Sequence, residues 1–177
     1  EIEAMYSFCQ ENNLVLILNP AFEYSDVDVK AKLSAEHLDV LKTWAKKKGV
    51  YLNEAFIALR EEGGNQIEDP VCKAASSTVV ISPNNQLVLP CYHLGMEAIL
   101  IDNNLQLLSE SEKVQHLVAM EGKYEACQGC TVNCYMQPSF AVEMNRFWWK
   151  ALSSTLKYNR MKGTWKQLFI SKVALGK

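Results

Sequence analysis

The placing of cysteine constrains this chain more than any other feature. Cys72 and Cys91 stand singly, and Cys127, Cys130 and Cys134 follow as the run Cys-Gln-Gly-Cys-Thr-Val-Asn-Cys, leaving only Cys9 apart. Two thiolates at Cys-x-x-Cys spacing reach one metal centre from a single turn, and two more from a neighbouring hairpin complete a four-thiolate site. Pro83-Asn84-Asn85 supplies that hairpin turn between Cys72 and Cys91, so the two single thiols can lie near one another. Gly129 falls where the backbone must wrap closely around a metal or sulfide. Cys134 is then a fifth thiol, an alternate ligand or a buried neighbour, and Cys9 reads as a small hydrophobe on a helix face.

Composition decides between metal and disulfides. The chain has 177 residues, 49% of them hydrophobic and 21% charged, with a formal net charge of −2. That length suits one domain or two small ones with a sizeable core. The charge balance shows no basic surplus for nucleic acid, and no apolar run is long enough for a transmembrane segment. No export signal is visible, so a cytoplasmic location with reduced thiols is expected, and a metal site is favoured over disulfides. The opening on Glu1, straight into a helical pattern, reads as a piece of a longer protein.

The first part alternates helix and strand. Ile2, Met5, Tyr6 and Cys9 line one face of a helix ending near Asn12-Asn13, and 14–18 reads as a buried strand. Ser34 caps a helix carrying Leu38, Leu41 and Trp44 inward and stopping at Gly49. Residues 50–52 form a short strand, Asn53 caps a helix to Arg60, and Gly63-Gly64 breaks it. After the glycines, 78–82 and 86–89 read as a hairpin, and 97–101 with 105–108 as a second pair around Asp102-Asn103-Asn104. Ser109 with Glu112 predicts a capped helix to Met120, and 140–158 reads as helical, with Val142, Phe147, Trp148 and Leu152 available for packing. The fold class is α/β, α+β overall, with a boundary between 1–63 and 64–177.

Four cysteines alone accept either zinc or an iron–sulfur cluster. Zinc ribbons pair two Cys-x-x-Cys knuckles and only one is present, so the single, single, pair order suits a cluster better. The order Cys72, hairpin, Pro90-Cys91, Cys127-x-x-Cys130 resembles the auxiliary-cluster domain of radical S-adenosylmethionine enzymes, of the twitch or SPASM type. The stretch Asn84-Asn85-Gln86-Leu87-Val88-Leu89-Pro90-Cys91 reproduces the family's turn, strand, proline, cysteine, with Asn85 where glycine is usual. The likeness covers roughly residues 64–134 and, less specifically, the stretch before them, which looks like the closing units of a partial TIM-like barrel. It implies one auxiliary 4Fe–4S cluster on Cys72, Cys91, Cys127 and Cys130, as in the shorter, one-cluster twitch version.

The family binds its catalytic 4Fe–4S cluster through Cys-x-x-x-Cys-x-x-Cys, which this sequence lacks; 127–134 carries those spacings in reverse order. The resemblance therefore implies a parent that cleaves S-adenosylmethionine to a 5′-deoxyadenosyl radical. It acts on a small-molecule or peptide substrate that the sequence does not specify, while these 177 residues alone are not catalytic. The competing expectation is a non-enzymatic zinc-binding module using the same cysteines. His93 reads as a polar residue beside the site, His37 and His116 as surface residues. Tyr135, Met136 and Phe140 read as a cover over the centre, and Trp148-Trp149 as packing.

Overall fold

The computed structural model describes residues 1–22, 33–102 and 104–163. These hold eight α-helices and two small two-stranded sheets, a mixed helix-and-sheet architecture. Helix α1 (Ile2–Glu11) leads into β1 (Leu16–Ile17), and α2 (Ala35–Ala45) carries the chain to β2 (Val50–Tyr51). The two strands pair in parallel, Leu16 beside Val50 and Ile17 beside Tyr51. This single βαβ unit is the extent of barrel-like structure among the described residues. Cys9, Leu16 and Val50 form its small core, whereas Met5, placed inward by helical spacing, is 54% exposed.

Local capping chemistry sets the helix starts. The Ser34 hydroxyl accepts from the His37 N–H, and the His37 ring reciprocates at the Ser34 N–H, so this surface histidine closes a capping box. Asn53 caps α3 (Glu54–Glu61) by accepting from the Ala55 N–H. Leu38 and Trp44 are buried as expected, Leu41 partly so.

After α4 (Ala74–Ser77), the chain forms an antiparallel pair of β3 (Gln86–Leu89) and β4 (Glu97–Leu100). The expected first hairpin survives as a bridge between Ile81 and Leu87 and as hydrogen bonds joining Ser82 to Gln86 and Val88 to Val80. Asn85 adopts φ of 57°, the left-handed turn conformation that asparagine tolerates. The second expected pair does not form. Its first half joins β3 instead, and its second half is helix α5 (Leu105–Ser109), capped by Asn104; Asn103 lies outside the described residues. An Asx cap followed by a four-residue apolar-rich turn outweighs β-propensity there.

Helix α6 (Glu112–Ala119) begins on Ser111 rather than Ser109, because the Ser111 hydroxyl accepts from Val114 N–H while Ser109 serves α5. The helix expected over 140–158 starts later, as α8 (Arg146–Lys162), and a separate short helix, α7 (Asn133–Ser139), ends just before that stretch. Asn145 accepts from the N–H groups of Phe147 and Trp148 and so starts α8 afresh, leaving Val142 exposed in the connection.

The largest core joins α3 to α7 and α8. Ala55, Phe56, Ala58 and Leu59 pack with Cys72, Ala74, Val132, Tyr135, Met136, Phe140 and Phe147, drawing on both sides of Gly63-Gly64. Phe140 lies with its ring centroid 5.6 Å from that of Phe56 and 5.6 Å from that of Phe147. A second core of Leu87, Leu89, Ile101, Val114 and Leu117 sits under the antiparallel pair. Truncating a buried phenylalanine leaves a cavity, so Phe140→Ala should lose about 3–5 kcal/mol in urea denaturation. Trp149→Ala, at a 58% exposed position, should stay within about 0.5 kcal/mol of the parent.

Candidate metal centre

The chain leaves α3 through Gly63 and Gly64, both at positive φ (82° and 85°). A Cβ on Gly64 would overlap the backbone of Gly129, so this turn lies directly against the loop between Cys127 and Cys130. Gly129 itself is at φ 73°, a left-handed conformation that glycine adopts freely.

Asn65 follows and is fully buried. Its side-chain oxygen accepts from the Cys72 N–H at 2.9 Å, and its amide donates to the Gly122 carbonyl at 2.8 Å and the Cys127 carbonyl at 3.2 Å. Its backbone N–H donates to the Cys130 carbonyl at 3.0 Å, and its carbonyl accepts from Gly129 N–H at 2.7 Å. One asparagine therefore ties together the segments bearing three of the four expected ligands. Sequence reading passed over it, because its role is set by partners far along the chain; the signal available was an amide directly after a Gly-Gly break.

Helix α7 holds the other sides. The Ser139 hydroxyl accepts from Lys73 N–H at 2.8 Å, fixing the segment beside Cys72. The Tyr135 hydroxyl accepts from Tyr92 N–H at 2.8 Å, fixing the residue after Cys91. Tyr135, Met136 and Phe140 are buried with Cys72 in the main core.

The four thiols feel one another. Burial pushes the Cys72 thiol up to about 12, and the neighbouring Cys130, Cys127 and Cys91 add to the rise. Burial also raises Cys130, with Cys91 and Cys134 beside it, and Cys127, with Cys130 and Cys91 beside it. Each sulfur meanwhile has backbone N–H donors. Ala74 serves Cys72, Val132 serves Cys130, and Gly122 and Tyr124 serve Cys127. Leu94 N–H reaches the Cys91 sulfur at 3.4 Å. Such N–H···S contacts favour thiolate, while burial and mutual repulsion disfavour it; a bound cation resolves the conflict. The donor set fits metal–thiolate chemistry.

Cys134 is exposed, and its sulfur lies 3.7 Å from Nε2 of His93. It stands at the rim of the cluster next to Cys130, while Cys9 is buried in the separate core under α1. Among the described residues, no three His, Cys, Asp or Glu side chains close into a ready-made metal cage, so the ligand assignment rests on the converging loops and their N–H donors. No family model, curated protein or solved structure matches this chain.

Two outcomes follow. Asn65→Ala strands the Cys72 N–H and the Gly122 and Cys127 carbonyls, each unmet buried group costing about 1–3 kcal/mol. The variant should therefore unfold at clearly lower denaturant, and its Cys72 should alkylate faster under native conditions. The metal-free protein should also lose stability as pH rises. Above about pH 8.5 the unfolded thiols release protons while the buried Cys72 thiol keeps its own, so the unfolded state binds fewer protons and gains. That loss should run from there toward about 12, and Cys72→Ser should flatten it in denaturation series at stepped pH.

Proposed function

We propose that Cys72, Cys91, Cys127 and Cys130 hold an auxiliary 4Fe–4S cluster, in the C-terminal part of a radical S-adenosylmethionine enzyme of the twitch or SPASM type. The observation that carries this reading is the convergence of all four cysteine loops on the Asn65 and α7 framework. The family resemblance of roughly residues 64–134 supplies the class of centre. The catalytic cluster and the S-adenosylmethionine site belong, on this reading, to a half not included in these 177 residues.

Bound there, a 4Fe–4S cluster accepts and passes single electrons. The chain's own residues do the rest. With Cys72, Cys91, Cys127 and Cys130 all engaged as ligands, the centre would serve electron relay rather than direct ligation of the reacting molecule. The N–H donors to sulfur steady the thiolates in a poorly solvated setting. Met136 and Phe140 keep water from the inner side. The outer side, at Tyr92, His93 and Cys134, is more open and gives an electron partner or substrate its approach.

Protein purified without oxygen, or reconstituted with iron and sulfide, should be brown, absorb near ~400 nm and hold about four irons per chain. Ala substitution of Cys72, Cys91, Cys127 or Cys130 should abolish this loading, and Cys134→Ala should keep it. A colourless protein with a single zinc, refusing iron on reconstitution, would replace the cluster by a structural zinc module.

A further inference from the structure

Arg60, the last basic residue of α3, is half-buried and reaches toward the cysteine loops. Its Nη1 donates to the Phe56 carbonyl at 3.0 Å, and its Nη2 to the Ala21 carbonyl at 2.9 Å. Nη2 also donates to the Thr131 carbonyl at 3.3 Å and to Oδ1 of Asn133 at 2.9 Å, on either side of Val132 and just beyond Cys130. All of these acceptors are neutral, and among the described residues no carboxylate pairs with Arg60. A cation withdrawn from water onto neutral acceptors is costly. Burial accordingly pulls its pKa down to about 10, and the sulfur of Cys130 acts in the opposite direction.

We propose that Arg60 is the counter-cation of the metal–thiolate centre, both holding the Cys130 loop and offsetting the centre's negative charge. The inference rests on the thiolate-centre reading above. A metal or cluster bound by four thiolates is a net anion, because the sulfur charge exceeds that of the metal core. A fixed guanidinium beside Cys130 stabilises that anion, and stabilises it more after one further electron has been added. Arg60 thus raises the centre's reduction potential and slows loss of its metal. Lysine keeps the charge but forfeits the planar fork of donors that spans Ala21, Thr131 and Asn133.

The test compares the anaerobically reconstituted parent with Arg60→Gln and Arg60→Lys. Midpoint potentials are read by dithionite titration, metal release by absorbance in excess chelator, and folding by circular dichroism. Arg60→Gln should shift the potential negative and lose metal faster by about tenfold or more, in line with other groups that support metal ligands from outside the coordination sphere. Arg60→Lys should recover most of the potential while improving metal retention only in part. Equal potentials in the parent and Arg60→Gln, both folded and loaded, overturn the counter-cation role while leaving the cluster assignment standing. A potential lowered equally by Lys and by Gln overturns it too, since charge would then not be the cause. If Arg60→Gln does not fold, Asn133→Asp carries the same test. A carboxylate at the Arg60 contact cancels the guanidinium charge while keeping an acceptor in place, so the potential must again fall. If the parent takes zinc in place of a cluster, the chelator rates decide, because that centre is also an anion. A parent that binds neither overturns both readings.

Discussion

The buried amide of Asn65 is the contact on which the rest of the site depends. Its side chain and backbone together satisfy five polar groups on three segments that are distant in sequence. A buried amide so fully engaged fixes one arrangement, because moving any segment would leave donors and acceptors unmet inside the protein. The two preceding glycines make the approach possible. With a Cβ at Gly64 the chain could not lie against Gly129, and Asn65 could not exchange backbone hydrogen bonds with Gly129 and Cys130. Loop geometry here is set by hydrogen bonding first and by apolar packing second.

Packing enters from the other side through α7. Met136 and Phe140 face the main core, and the same short helix sends Tyr135 and Ser139 to the backbone beside Cys91 and Cys72. The i, i+4 spacing of Tyr135 and Ser139 places both hydroxyls along one face, and Ser139 donates back to the Tyr135 carbonyl. The core that anchors α3 therefore also positions the thiols, and Arg60, projecting from α3, reaches the third loop. A disturbance of the core at Phe56 or Phe140 is transmitted to the cysteines through no more than one helix.

What could be read from the sequence was what short-range chemistry decides. Ser34 and Asn53 act as caps because an N-cap needs only its own side chain and the next three residues. Gly129 and Asn85 take the left-handed conformations their neighbours demanded. The failures came where local patterns were balanced. Residues 105–108 carry leucines that suit a strand or a helical turn, and the Asn104 cap tipped them to helix. Residues 140–158 are helical in pattern, yet the Asn145 cap starts the helix only at Arg146. The nearness of the four thiols was legible from their spacing and the turn between them. Asn65 and Arg60 were not, since an amide and a guanidinium have meaning only through the distant carbonyls they meet.

A site built this way differs physically from a small zinc finger, whose fold awaits its metal. Here buried apolar clusters lie on both sides of the cysteine loops, and hydrogen bonds to Asn65, Tyr135 and Ser139 already hold those loops. Binding a metal would then require modest adjustment of side chains rather than ordering of the backbone. The thiols themselves carry electrostatic tension: burial and their mutual proximity push them toward neutrality, backbone groups pull the other way, and a guanidinium lies beside Cys130. These three features have different origins in the chain, and a net-negative centre among the four sulfurs satisfies all of them at once. That shared complementarity is a stronger argument for an anionic metal–thiolate centre than cysteine spacing alone, since spacing constrains only the ligands and not the surroundings that must accept their charge.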